Sequence, residues 1–135
     1  SFQQQPLIPE QNASGIRVRY ARPIGHFALI RYLNSRKIPV STAAKLCQEV
    51  HYILRGRNFF AIGTKNDSGG WDLRNKYYKN SSSPKDITYI KNGNRRLIVT
   101  EGMFDMLSLM ERDKKLRGEN DLLILNSLAF VEKIP

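Results

Sequence analysis

Two carboxylates, Glu101 and Asp105, have the types and spacing best suited to chemistry. They follow residues 96–100, whose apolar centre Leu97–Val99 is typical of a buried strand, and Gly102 then marks a tight turn into a helix. In open α/β folds, ligands bind at the carboxyl edge of the strands. Two acids at that edge predict a site for a hard divalent cation, Mg²⁺ or Mn²⁺, and chemistry on phosphate groups.

Each acid also has a simpler interpretation. In the first turn of a helix, Asp105 would stabilise the positive end of the helix dipole by about 0.3–1 kcal/mol. Glu101 would then be an exposed residue in a strand-to-helix turn. On spacing alone these simpler interpretations are favoured, so the cation site depends on what surrounds the two acids.

The elements that must position the acids form a strand–helix–strand unit. It comprises a strand over Arg96–Thr100, a helix from Met103 to about Leu116 and a strand over Leu122–Leu125. Met103, Met106 and Met110 form a stripe that predicts the face packed on the sheet. Such a unit places two parallel strands side by side.

The part of the chain before this unit predicts helices and a small antiparallel sheet. Apolar spacing favours a helix over residues 25–36 and a second from Ser41 to about His51. The strands are predicted at Tyr52–Leu54, Phe59–Gly63, Trp71–Asn75 and Ile87–Ile90, with a turn at Asn66–Gly70 and a loop over residues 80–84. The predicted fold class is therefore α+β.

Positive charge is concentrated in the middle of the chain. The net charge of +10 divides into +5 for residues 1–54, +7 for residues 55–96 and −2 for residues 97–135. A basic body joined to an acidic end suits a protein that holds a polyanion while a cation acts on it. A generic solvated surface is the alternative.

Aromatic residues are interleaved with the basic residues of the middle segment. Unpaired bases stack on aromatic rings while Lys and Arg contact phosphates, so this pattern predicts binding of single-stranded DNA. Phe59, Phe60 and Trp71 are expected in the core. The expected nucleic-acid contacts are Lys65, Arg74, Lys76, Tyr77, Tyr78, Lys79, Lys85, Arg95 and Arg96.

The segment around Glu101, Gly102 and Asp105 resembles the first half of the Toprim motif of bacterial primases, topoisomerases and certain nucleases. The Met-Leu-Ser-Leu run after Asp105 is similar to the primase branch. Residues 27–85 also resemble primase-like proteins of bacterial mobile elements, in the pieces Tyr32-Leu33, Arg36-Lys37-Ile38, Phe60–Gly63, Lys65–Gly70 and Leu73-Arg74-Asn75.

This resemblance implies a fragment of a DNA primase. Glu101 would be the catalytic residue, Glu101 and Asp105 would bind Mg²⁺, and nucleoside triphosphates would be substrates of the intact protein. Toprim domains carry an Asp-x-Asp after their third strand, and this chain has none. We therefore expect residues 1–24 to be a loosely attached arm, residues 25–94 a basic subdomain and residues 95–135 an incomplete Toprim domain that holds the cation weakly.

The resemblance leaves two alternatives open. A Toprim nuclease or strand-transfer enzyme would use the same cation to cleave, and a non-catalytic single-strand-binding module would use its acids only structurally. Glu101→Gln would separate these activities.

The remaining composition limits the class of protein. Cys47 is the sole cysteine, which excludes an internal disulfide and indicates a cytoplasmic protein. Cys47, His51 and His26 are too few for a zinc site, and we expect a packed cysteine and a partly exposed histidine. No apolar run is long enough for a membrane span.

Overall fold

The computed structural model describes residues 15–128, and its first half is a five-stranded antiparallel sheet in the order β1-β2-β3-β4-β5. Two helices lie between β1 and β2. The elements are β1 (Ile16–Arg22), α1 (Phe27–Ser35), α2 (Val40–Ala43), β2 (Gln48–Leu54), β3 (Arg57–Lys65), β4 (Trp71–Arg74) and β5 (Lys79–Ser81).

The second half is a three-stranded sheet in the order β6-β8-β7. Strands β7 and β8 are parallel and β6 is antiparallel to β8, so the predicted strand–helix–strand unit is confirmed. Its elements are β6 (Thr88–Ile90), β7 (Leu97–Thr100), α3 (Met103–Arg112), α4 (Leu116–Glu119) and β8 (Asp121–Ile124). The α+β class is confirmed as well.

The largest core lies between the helices and both sheets. Leu33 of α1, Met106 of α3, Ile62 of β3 and Ile124 of β8 are all buried in it. Strand alternation sends Leu123 to a small cluster on the opposite face of the second sheet. The two sheets therefore pack around one shared helical layer.

The end of α1 is fixed by a Schellman motif. The Ile38 amide donates to the Leu33 carbonyl and the Lys37 amide donates to the Asn34 carbonyl, at 3.0 and 2.9 Å. Lys37 has a φ of 61°, the left-handed conformation that this motif requires. The motif sets the position of Arg36, the last residue before the reversal.

Three local predictions were wrong. Residues 16–22, assigned to a loose arm, form β1, because they pair along their length with β2; residues 1–14 of that arm lie outside the described residues. The helix predicted to about His51 ends at Ala43, since residues 48–54 pair on both sides with β1 and β3. The loop over residues 80–84 begins with β5, whose polar residues pair with β4 at the sheet edge.

The predicted boundary at residue 94 also differs from the arrangement of strands. Strand β6 belongs to the second sheet, because it pairs with β8, so the change of sheet falls between Ser81 and Thr88. No helix within residues 15–128 is long and apolar enough to cross a membrane.

Candidate functional site

Glu101 stands at the carboxyl end of β7, as the sequence predicts. The residues that follow β8 lie beside it. The Leu125 amide donates to the Thr100 carbonyl at 2.9 Å, and the Asn126 amide donates to the Glu101 carbonyl at 3.0 Å. The carboxyl ends of the two parallel strands are thus held together, at the sheet edge where α/β folds bind ligands.

Gly102 does not have the conformational role that its position in a tight turn predicts. Its φ is −134°, an extended conformation open to any residue, and a Cβ atom added there would meet nothing within 4 Å. The turn is held instead by Thr100, whose hydroxyl donates to the Gly102 carbonyl at 3.0 Å. Gly102 leaves the space beside Glu101 open.

Glu101 and Asp105 line one cavity of about 400 Å³. Both side chains are exposed, and within residues 15–128 neither makes a hydrogen bond or an ion pair. We call this cavity the acidic cavity. Its walls are Arg36, Arg74, Lys79, Glu101, Gly102, Phe104, Asp105, Leu125, Ser127 and Leu128.

The three basic residues of the acidic cavity come from the first half of the chain. Arg74 and Lys79 are paired across β4 and β5, which places them side by side. Arg36 arrives from the end of α1 and lies with its guanidinium 4.2 Å from the centre of the Phe104 ring. The Arg74 guanidinium lies 5.4 Å from the centre of the same ring.

These contacts leave charges of both signs available to a ligand. Arg36 donates to the Tyr32 hydroxyl at 3.1 Å, and in the described residues neither it nor Arg74 forms an ion pair with a carboxylate. Ring faces hold the guanidinium groups in place without neutralising them. The acidic cavity can therefore offer carboxylates to a cation and guanidinium groups to a phosphate.

The donor set of the acidic cavity fits a weakly held hard cation. Mg²⁺ takes oxygen ligands and commonly uses one or two carboxylates, with water and phosphate completing its shell. Glu101 and Asp105 supply two such carboxylates, and no group of three or more potential metal-ligating side chains occurs within residues 15–128. Water and a phosphate-bearing ligand would complete the coordination.

A second cavity, of about 350 Å³, separates α1 from the turn between β4 and β5. We call it the aromatic cleft. Three of the predicted nucleic-acid residues, Lys76, Tyr77 and Tyr78, lie in its wall. The full wall comprises Ala28, Leu29, Arg31, Tyr32, Asn58, Phe59, Phe60, Asn75, Lys76, Tyr77 and Tyr78.

Asn75 fixes the turn that carries the two tyrosines. Its Oδ1 accepts hydrogen bonds from the Tyr77 and Tyr78 amides, both at 2.9 Å. Its Nδ2 donates to the Phe60 carbonyl of β3 at 3.0 Å. One side chain therefore shapes the turn and ties it to the sheet.

Arg74 and Lys79, which were also predicted to contact nucleic acid, line the acidic cavity, and the four remaining predicted residues line neither cavity. Lys65 pairs with Trp71, at the opposite end of the β3–β4 ladder from Arg74. Arg95 and Arg96 are exposed and precede β7, whereas Glu101 follows it, which separates them by roughly 15 Å of extended chain. Lys85 lies in the connection between β5 and β6 and lines neither cavity.

Sequence reasoning missed Arg36 and Phe104 as site residues. Tyr32 and Arg36 are four positions apart on α1, which brings their side chains to one face. That spacing could have signalled a paired role. Nothing local could show that Phe104 lies against both Arg36 and Arg74, because these contacts join distant parts of the chain.

A third polar cluster, also missed, surrounds the fully buried Glu49. Its carboxylate accepts hydrogen bonds from the Gly25 amide at 3.0 Å, the His26 amide at 2.7 Å and Arg22 Nε at 2.9 Å. His51 Nε2 lies 2.7 Å from the same carboxylate. Burial opposes ionisation, but these contacts outweigh it and lower the pKa of Glu49 to about 2.

The two other candidate metal ligands are packed residues. Cys47 is buried, 3.3 Å from the Thr64 hydroxyl, and burial raises the pKa of its thiol to about 12. His51 is half-buried and stacks on Tyr20 with ring centres 4.5 Å apart. Both positions confirm the expectation of a packed cysteine and a partly exposed histidine.

In a comparison with known families, the family model of a domain of unknown function (DUF8464) matches residues 18–83. This range covers the five-stranded sheet from within β1 to just after β5, including α1 and α2. It contains the aromatic cleft, together with Arg36, Arg74 and Lys79 of the acidic cavity. Neither the curated proteins nor the solved structures gave a match.

Proposed function

We propose that this chain is part of a cytoplasmic primase-like protein that binds single-stranded DNA and, when intact, catalyses Mg²⁺-dependent nucleotidyl transfer during primer synthesis. The observation that carries the proposal is the acidic cavity. It brings two carboxylates that have no partner within residues 15–128, and three basic side chains, from separate parts of the chain around one space of about 400 Å³.

The charges of the side chains in the acidic cavity suggest a role for each of them. Glu101 and Asp105 would hold Mg²⁺, which when bound supplies charge neutralisation to the phosphates of a nucleoside triphosphate. Arg36 and Arg74 lie where guanidinium groups can form charge-assisted hydrogen bonds to phosphate oxygens. The Toprim resemblance motivates the assignment to primer synthesis, since the same cavity chemistry serves other phosphoryl-transfer reactions.

Metal and nucleotide binding by this chain test the proposal directly. Mn²⁺, which can be followed by electron paramagnetic resonance, should bind weakly alone and more tightly with a nucleoside triphosphate present. Glu101→Gln should weaken that joint binding about tenfold, equal to about 1.4 kcal/mol. Glu119→Gln is the matched control, because Glu119 is also exposed but lies outside the acidic cavity.

Three outcomes would contradict the proposal in different ways. Tight Mn²⁺ binding without nucleotide would show a complete metal site in this chain. Metal-dependent nicking of DNA by the intact protein, lost with Glu101→Gln, would select a nuclease. Unchanged metal and nucleotide binding in Glu101→Gln, with DNA binding intact, would select a non-catalytic single-strand-binding module.

Binding of DNA is tested separately from the metal. Reversing the charges of Lys76, Lys79 and Lys85 should weaken binding of a single-stranded oligonucleotide and flatten its dependence on salt. An unchanged affinity and salt slope would remove the polyanion part of the proposal.

A further inference from the structure

The aromatic cleft is lined mainly by aromatic side chains. Its aromatic side chains are Tyr32 of α1, Phe59 and Phe60 of β3, and Tyr77 and Tyr78 of the turn between β4 and β5. Phe59 meets Tyr78 edge-on, with ring centres 5.7 Å apart, so the rings are in contact but not stacked. A planar group that enters the cleft would contact the exposed ring surface of Tyr77 and Tyr78.

Two large aromatic side chains remain exposed at this cleft. Tyr77 is 72% exposed and Tyr78 is 44% exposed, although both lie on a turn fixed by Asn75. Their backbone is already ordered, so a ligand that covers the rings would not have to order the turn first. Adjacent exposed aromatic rings are typical of a binding surface.

Charge selects the class of ligand. Arg31 and Lys76 are the charged residues of the cleft wall, and within residues 15–128 no acidic side chain lines it. The Lys76 ammonium lies 5.6 Å from the centre of the Tyr77 ring, so a cation stands beside the most exposed ring. A flat ring attached to a negatively charged backbone matches both features, as an unpaired nucleobase of a single strand does.

The aromatic cleft adjoins the acidic cavity through one pair of residues. Tyr32 lines the cleft, and its hydroxyl accepts a hydrogen bond of 3.1 Å from Arg36, which lines the acidic cavity. The β4–β5 hairpin also contributes to both spaces, through Arg74 and Lys79 on its strands and Tyr77 and Tyr78 on its turn.

We infer that the aromatic cleft holds one unpaired base of single-stranded DNA against Tyr77 and Tyr78, and that the strand continues from there towards the acidic cavity. This inference rests on the single-strand binding of the proposed function and adds to it where the strand lies. The base is held by stacking, so the cleft accepts any base.

The test compares two labelled oligomers of equal charge, a single-stranded oligothymidylate and an abasic oligomer of the same length. Fluorescence anisotropy should show the wild-type chain binding the oligothymidylate more tightly. Tyr77→Ala and Tyr78→Ala should each reduce that affinity about tenfold and leave binding of the abasic oligomer unchanged. Tyr77→Phe and Tyr78→Phe keep the rings and should retain the affinity.

Tyr20→Ala is the matched control, because Tyr20 is 44% exposed like Tyr78 but lies on β1 outside the cleft. It should leave both affinities unchanged.

The role of charge is tested by the dependence of DNA affinity on salt. Lys76→Ala should lower the magnitude of the salt slope by about 0.7, and Lys45→Ala, at an exposed position outside both cavities, should not.

Equal wild-type affinity for the two oligomers would overturn the inference while leaving binding of a polyanion intact. A proline-rich peptide that displaces the DNA, with a dependence on Tyr77, would assign the cleft to a protein partner. Failure to bind either oligomer would remove the single-strand binding of the proposed function too.

Discussion

The two ends of the three-stranded sheet use their carboxylates in opposite ways. At the start of β8, Asp121 is buried and accepts hydrogen bonds from the Asn92 and Asn94 amides at 2.8 and 3.1 Å. At the end of β7, the carboxylates of Glu101 and its neighbour Asp105 are exposed and accept no hydrogen bond from residues 15–128. The carboxylate at the first end stabilises a loop, and the two carboxylates at the second end line a cavity.

We call a carboxylate closed when its oxygens accept hydrogen bonds from the protein, as in Asp121, and open when they accept none from residues 15–128, as in Glu101 and Asp105. Glu49 in the five-stranded sheet is a closed carboxylate. Its oxygens accept from the Gly25 and His26 amides and so tie the entrance of α1 to β2. A carboxylate surrounded by backbone amides stabilises the fold, since moving it would leave buried donors without an acceptor. A carboxylate without such partners is free to bind a ligand. Acidic side chains thus serve two purposes in this protein, stabilising the fold or binding a ligand, and their hydrogen bonds distinguish the two.

The largest effect is expected at the closed carboxylate with the most partners. Glu49→Ala would leave Arg22, His51 and two backbone amides without their acceptor, and should lower the free energy of unfolding by about 3 kcal/mol. The midpoint of urea unfolding measures this. Glu119→Ala, at an exposed residue of α4, should shift the midpoint far less. Equal shifts of the urea midpoint in Glu49→Ala and Glu119→Ala would contradict the distinction between closed and other carboxylates.

A smaller effect is expected from acid. The hydrogen bonds of Glu49 lower its pKa from the ordinary 4.5 to about 2, so on acidification the unfolded chain takes up the proton first. The stabilisation by Glu49 is complete above about pH 4.5 and is lost as the pH falls to about 2. The Asn94 and Asn92 amides also lower the pKa of Asp121, which acts in the same direction.

Urea midpoints measured from pH 7 down to pH 2 would show this loss in the wild-type chain and a flatter dependence in Glu49→Gln. Parallel curves for the two proteins would mean that the buried carboxylate is not the group that titrates.

The smallest effect is expected at the open carboxylates. Glu101→Gln and Asp105→Asn should each change the free energy of unfolding by less than about 0.5 kcal/mol, because neither removes a hydrogen bond within the described residues. Thermal unfolding monitored by circular dichroism measures this. A loss of about 1 kcal/mol in Asp105→Asn would instead indicate that this acid stabilises the helix dipole of α3.

Local patterns predicted those parts of the fold whose signals are local. The turn predicted at Asn66–Gly70 lies between β3 and β4, where Gly69 has a φ of 93° and Asn66 Oδ1 accepts hydrogen bonds from the Ser68 and Gly70 amides, both at 2.9 Å. Strand β2 shows where the pattern fails. Its first residues continue an apolar spacing that also fits a helix, and pairing with β1 and β3 decides the outcome.

The sequence alone determined the change from antiparallel strands to a strand–helix–strand unit, and with it the place of Glu101 at a strand end, because periodicity and turn residues act over a few neighbours. Only the tertiary structure decided that Arg36 and Arg74 meet on Phe104 beside that acid. It also decided that Lys65 and Arg95 lie elsewhere. Contacts between distant segments depend on how the helices and both sheets share one core, which no local pattern encodes.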